Sequence, residues 1–175
     1  MRFIMVAILS VAALGCGVSA TKPAPVAEPF TGKWMRCETW QGAEICEYKQ
    51  LVQRGNRVCG VQRYFATNAY YEQRFVGTAK ANVARIEKIC GDPGSETDTY
   101  CTGRAPSDAE KVGWEASNEK LALCNGRLHG ASEGDAPGCG AVSRAAGLPK
   151  AKSLKGDGPG PEDLAWLKSC AGGAE

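Results

Sequence analysis

Between residues 30 and 129 the chain is cut into short extended segments by tight turns, and this punctuation restricts the fold more than any other feature of the sequence. The segments run 30–40, 45–53, 57–66, 70–79, 82–90, 97–102, 112–116 and 120–128. Between them lie breakers such as Gln41-Gly42, Arg54-Gly55-Asn56, Thr67-Asn68-Ala69, Lys80-Ala81, Gly91-Asp92-Pro93-Gly94-Ser95 and Ser117-Asn118. Most segments are rich in Val, Ile, Tyr, Phe and Trp, which suit a pleated, half-buried surface. On 70–79, Tyr71, Gln73, Phe75 and Gly77 fall on one side, and Tyr70, Glu72, Arg74 and Val76 on the other. On 57–66, Cys59, Val61 and Phe65 share a face. Eight consecutive strands with short connections predict an antiparallel meander. Eight is also a strand number at which a meander closes on itself and loses its edges. The expected fold is mainly β: an eight-stranded antiparallel meander barrel braced by disulfides, with a short C-terminal helix. An open two-sheet sandwich is the alternative.

The start of the chain supplies the compartment. Met1-Arg2 makes a short positive region, and 3–14 is an apolar run too short to span a bilayer, so 1–20 reads as a secretory signal. Two processing sites compete. Val18-Ser19-Ala20 offers small residues for a cut before Thr21. Ala13-Leu14-Gly15-Cys16 resembles a bacterial lipobox, with Ala13 where that pattern prefers Leu, and implies acylation of Cys16. The Pro/Ala-rich stretch 21–29 has the composition of an extended tether, which favours the lipid-anchored reading. The expected location is the periplasm, on the outer membrane through Cys16; the alternative is a soluble periplasmic or secreted protein.

Setting Cys16 aside, Cys37, Cys46, Cys59, Cys90, Cys101, Cys124, Cys139 and Cys170 form an even set. In an exported chain such a set reads as a disulfide framework. One pair follows from geometry. A two-residue hairpin turn at Gln41-Gly42 sets Trp40 against Ala43 as a hydrogen-bonded pair, so Cys37 meets Cys46 at a non-hydrogen-bonded site. There the Cα separation is about 4.5 Å, within disulfide range. Cys90–Cys101 is expected next, across the turn that follows 82–90. Cys139–Cys170 and Cys59–Cys124 remain by elimination. No CxxC spacing occurs and His129 is the only histidine, so neither structural zinc nor a redox dithiol is expected.

After residue 130 the composition shifts to Gly, Ala, Pro, Ser and Lys, and 131–160 reads as loop. The stretch 161–171 differs. Pro161 at the first helical position, Glu162 and Asp163 in the first turn, Lys168 near the end and Gly172-Gly173 beyond bracket a short helix. Leu164, Leu167 and Cys170 share a face, which predicts docking on the barrel. The domain plan is therefore signal 1–20, tether 21–29, barrel 30–130, loop 131–160 and docking helix 161–171.

Gly32-Lys33-Trp34 resembles the GxW near the first strand of lipocalins and other calycin-type barrels. In that family the Trp closes the barrel floor and an Arg from the last strand lies across it. The resemblance therefore implies barrel closure by Trp34 with Arg127 stacked on it. It covers one tripeptide, one arginine and the order of elements, and it implies an architecture rather than a ligand.

Catalytic vocabulary is thin. His129, Ser132 and Asp135 lie within one short stretch with no second element to hold them, and a surface histidine is the simpler reading. Glu44 and Glu47 point to opposite faces of a strand and cannot act as paired carboxylates. No catalytic residue, metal ligand or cofactor is expected. The formal charge of +2, with basic residues scattered among acidic ones, excludes a nucleic-acid surface. Two classes remain. One is a non-catalytic envelope protein that binds a protein partner, as an inhibitor or immunity factor does, through loop tips gathered at one barrel end: Trp40, Gln41, Tyr70, Tyr71 and Asp92. The other is a carrier of a small apolar ligand, as the lipocalin resemblance implies. Arg36, Arg63, Arg74 and Arg85 among the apolar positions argue for a filled interior and against the carrier.

Overall fold

A computed structural model of the chain describes residues 27–66, 69–93, 95, 97–131, 139, 147–154 and 158–172. Five long strands come first: β1 (Gly32–Trp40), β2 (Ala43–Arg54), β3 (Arg57–Ala66), β4 (Ala69–Lys80) and β5 (Val83–Gly91). Four short ones follow, β6 (Glu115–Ala116), β7 (Lys120–Cys124), β8 (Arg127–Ala131) and β9 (Leu148–Ala151), and then helix α1 (Pro161–Ala171). Their hydrogen-bonded order is β4-β3-β2-β1-β9-β8-β7-β5, and β5 pairs back with β4. All these pairings are antiparallel, so eight strands close into a barrel. β6 stands outside the ring and adds to the edge of β5.

The barrel is the expected one, but three of its staves are not the expected strands. Segments 97–102 and 112–116 meet the rest mainly through single bridges, Gly91 to Tyr100 and Tyr100 to Val112, with only Glu115–Ala116 forming a strand. Thr97-Asp98-Thr99-Tyr100-Cys101-Thr102 has too little apolar surface to bury as a stave, so the described residues between 92 and 118 make an excursion outside the ring. The stretch 120–128 is not one strand but the β7–β8 hairpin. Asn125 and Gly126 form its turn with φ of 52° and 74°, the left-handed pair that an Asn-Gly hairpin turn requires. The eighth stave, β9, lies inside the stretch read as loop. It is only four residues long and contains Pro149, so no alternation announces it.

Reading across the sheet, alternate register rows form storeys of the interior. The lowest joins Gln53, Val58, Gly77 and Ile86; the next joins Gly32, Leu51, Gly60, Phe75 and Ile89. With Trp34, Leu121, Leu128 and Leu148 these make one apolar core that fills the lower half of the barrel. Phe30 plugs the floor. Its backbone N–H donates to Gln53 Oε1 at 3.2 Å, and its carbonyl accepts from Trp34 Nε1 at 3.1 Å. The cation over the Trp34 ring is Lys150 of β9, with Nζ 5.5 Å from the ring centre. Lys150 is the register partner of Trp34, whereas Arg127 faces away and donates to the Gly147 carbonyl at 2.9 Å. The implied Trp34–Arg127 stack is therefore corrected: Arg127 belongs to the seventh stave, not the last.

Four disulfides brace the fold: Cys37–Cys46, Cys59–Cys170, Cys90–Cys101 and Cys124–Cys139. The Cys37–Cys46 pair sits in the expected register, with Cα atoms 4.1 Å apart. The two pairs assigned by elimination are exchanged. Cys59 points outward from β3 beneath α1, where Cys170 reaches it, while Cys124 ends β7 at the opposite, lower rim beside Cys139. Disulfides form and persist in oxidising compartments, which places the chain outside the cytosol. Among the described residues no helix is long and apolar enough to cross a membrane.

Helix α1 lies on the outer face of β2 and β3, packing Leu167 and Cys170 on Cys59, Val61 and Val76. The expected face is wrong in one member. Leu164 is exposed and Asp163 takes the buried place, because Arg74 and Arg104 require an anion there.

Candidate functional site

Above the apolar core the interior changes character. The third storey joins Trp34, Lys49, Gln62, Gln73 and Gly91, and the fourth joins Arg36, Glu47, Tyr64 and Tyr71. β7 pairs only with Val83–Arg85 at the lower end of β5, so the barrel opens beside the upper part of that strand, where only the two-residue β6 adds to it. A cavity of about 500 Å³ occupies the opening, lined by Lys49, Gln62, Tyr71, Gln73 and Ile89 from the long staves, by Thr97 and residues 115–118 from the excursion, and by Glu119 just before β7.

The cavity wall is built of buried polar groups. Lys49, Gln62 and Gln73 are 8, 8 and 4 % exposed. Lys49 Nζ donates to Glu47 Oε1 and to Gln62 Oε1, each at 2.8 Å, and Gln62 Nε2 donates to Gln73 Oε1. On the excursion side Glu115 Oε2 accepts from Thr99 Oγ1 at 2.9 Å. Tyr71 stacks on Tyr64 with ring centres 5.4 Å apart.

The rim carries the exposed aromatics. Trp40, at the β1–β2 tip, is 63 % exposed, and Tyr70, at the start of β4, is 49 % exposed. Gln41 is exposed beside Trp40, with φ of 49° in the hairpin turn. The other two residues expected at the contact face, Tyr71 and Asp92, are half-buried. Tyr71 turns inward to the cavity, one step out of phase with Tyr70 along the strand. Asp92 is half-buried and held by Arg104, whose Nη1 lies 2.9 Å from Oδ1 and 3.0 Å from Oδ2.

That arginine belongs to a charge cluster the sequence reading missed. Arg104 also reaches Glu72 at 3.2 Å and Asp163 at 2.6 Å, Arg74 reaches Asp163 at 2.7 Å, and Arg63 pairs with Glu72. Arg63 sits 5.5 Å over the Tyr48 ring, and Arg74 5.2 Å over Trp166. Burial, the Asp163 carboxylate and their shared hydrogen bond push the Glu72 carboxyl up, against the pull of Arg63. Burial alone would raise Asp163, but hydrogen bonds from Arg104, Glu72 and Arg74 hold it below the usual carboxylate range. The two acids are thus shifted in opposite directions among three guanidiniums. The cluster joins α1, β3, β4 and the excursion through buried ion pairs. No sequence spacing announces it, since Glu72, Asp92, Arg104 and Asp163 come from four separate segments.

His129 is not at the surface. It is buried on β8, and its ring lies where a Cβ on Gly147 would fall, 2.4 Å from Cε1. Ser132 and Asp135 lie outside the described residues, as do Cys16, the signal and 21–26 of the tether. Among the described residues, the grouping of possible metal ligands is Cys37, Glu44 and Cys46, and both sulfurs are joined in the disulfide. No protein-family model, curated protein or solved structure matches the chain.

Proposed function

We propose that the chain is a non-catalytic binding protein of the bacterial envelope, which engages a protein partner through the open rim of the barrel. The observation that carries this reading is the pair of exposed aromatics, Trp40 and Tyr70, at two hairpin tips of the same end. Large amphipathic side chains on a rigid frame bury much area at little entropic cost, which is how interface anchors work. The frame is rigid here because Cys37–Cys46 clamps the hairpin three residues below Trp40. Inhibitor or immunity action suits such a rim, since blocking a partner needs a fixed surface rather than chemistry. Display on the outer membrane through acylated Cys16 would leave the rim at the end of a tether. A carrier of an apolar ligand is less well served, because the lower interior is filled by side chains and the open upper half is polar.

A photo-crosslinker placed at position 40 or 70 tests the reading. It is expected to trap one envelope protein that a crosslinker at Lys88, on the barrel wall, does not trap. Trp40→Ala and Tyr70→Ala should each weaken that complex by about ten-fold or more while thermal stability stays unchanged. Equal trapping from all three positions would overturn the rim as the interface. Cys16→Ala should move the protein from the membrane fraction to the soluble periplasm; an already soluble wild type starting at Thr21 would remove the lipid anchor from the proposal.

A further inference from the structure

We infer that the cavity behind the rim is a binding site for a small hydroxylated ligand of saccharide type, neutral or cationic but not anionic. The argument begins with the direction of the buried hydrogen bonds. An ammonium group only donates, so Lys49 Nζ faces acceptors, the oxygens of Glu47 and Gln62. With its oxygen committed, Gln62 presents its amide nitrogen and donates to Gln73 Oε1. Gln73 then has only its own amide nitrogen left to offer, and among the described residues that nitrogen meets no acceptor. The ladder of three buried side chains therefore ends in a donor on the cavity wall, and Lys49 keeps a third proton beside it. That nitrogen opens on the cavity, where a ligand oxygen can take the place of water.

The facing wall asks for the opposite. Glu115 and Glu119 bring carboxylates, and Ser117, Asn118 and Thr97 bring small polar groups. Lys49 is already balanced by Glu47, so the lining as a whole is acidic. A carboxylate or phosphate ligand would meet Lys49 but be repelled by the other side. An apolar ligand would strip water from Lys49 and Gln73 and replace none of its hydrogen bonds. A hydroxyl donates and accepts at one atom, so a polyhydroxylated ring satisfies both walls at once, and an amine on it gains from Glu115. The Tyr71 ring adds a flat apolar surface for the ring's C–H face. A cavity of about 500 Å³ is within the range of small-molecule sites.

The test uses the mature oxidised protein, titrated with glucosamine, glucose and glucuronate and followed by amide resonances and calorimetry. Glucosamine is expected to bind most tightly, glucose next, and glucuronate at least about ten-fold more weakly than glucosamine. Gln73→Leu keeps the volume and removes both the terminal donor and the acceptor of the Gln62 amide, and should weaken glucosamine about ten-fold. Asn118→Trp, at an exposed position of the lining, should obstruct the mouth without touching the core and weaken it as much. Three results would overturn the inference: no binding of any of the sugars, glucuronate bound as well as glucosamine, or both variants binding like wild type. Trp40→Ala changes the rim and not the lining, so it should spare sugar binding while weakening the protein complex. The rim and the cavity can thus fail separately.

Discussion

Tyr48 is fully buried on the outer face of β2, and among the described residues its hydroxyl has no hydrogen-bond partner. Burial, eased only in part by Arg63, raises its pKa, so the phenol is neutral at every physiological pH. The hydroxyl therefore costs its desolvation and returns nothing, and Tyr48→Phe should be neutral or stabilising by about 1 kcal/mol in urea unfolding. Loss of more than that would mean the hydroxyl has a partner in solution. Gly60 makes the reverse point. A Cβ there would lie 2.1 Å from Phe75 Cζ, so the ring fills the space that glycine leaves in the barrel interior. Gly60→Ala should cost about 1–3 kcal/mol by overpacking. Phe75→Leu should cost less in that background than in wild type, since the two residues share one space. Additive losses in the four-member urea cycle would show that they do not.

At the scale of elements, α1 is held by one disulfide, a small apolar patch and the charge cluster. Cys59–Cys170 spans 111 residues and Cys37–Cys46 spans 9. In the chain-entropy account the longer bridge should contribute about 2 kcal/mol more, so Ser pairs at the two sites should differ by that amount in urea unfolding. Loss of Cys59–Cys170 should also change Trp166 fluorescence, because Trp166 rides on the freed helix. The acids predict a pH signature of two opposite signs. Asp163 has a lowered folded pKa, so its contribution is present above the unfolded pKa near 3.8 and is lost as pH falls through the folded value. Glu72 has a raised folded pKa, so its contribution is full below the unfolded pKa near 4.5 and is lost as pH rises through the folded value. Glu72→Gln copies the protonated form and should abolish that second loss, flattening stability against pH above 4.5. Asp163→Asn should cost several kcal/mol at neutral pH, because it leaves buried guanidiniums uncompensated, and much less in acid. Thermal melts across the acid range read both; parallel curves for Glu72→Gln and wild type would break the pairing.

For the whole molecule, closure of the ring rests on four residues. Leu148 of β9 is buried in the core against Leu128, its register partner on β8, and the strand joins β8 to β1. Leu148→Ala should cost about 2–5 kcal/mol, the same loss expected for Leu121→Ala, although its neighbours in the chain read as linker. A surface-like loss below about 0.5 kcal/mol would mean that the barrel stands open in solution.

Much of this molecule follows from local rules alone. Alternation and turn chemistry determined β1 to β5, the Gln41-Gly42 hairpin and its Cys37–Cys46 bridge, because each depends on residues within a dozen positions of one another. The limits of α1 followed in the same way from Pro161, its acids and its terminal glycines. Asn125-Gly126 carried an equally local signal for the β7–β8 turn, which a continuous reading of 120–128 passed over. Tertiary structure decided the rest. Nothing in Leu148-Pro149-Lys150-Ala151 marks a strand until β8 and β1 stand on either side with unpaired edges. The partners of Cys59 and Cys124 depend on which face α1 covers, and that face depends on Asp163 meeting Arg74 and Arg104 from distant segments. Alternation showed that Gln73 and Phe75 share a side, but not that the barrel would bury one in an apolar floor and leave the other at the mouth. That difference comes from how little of β5 the short β7 covers, which only closure sets.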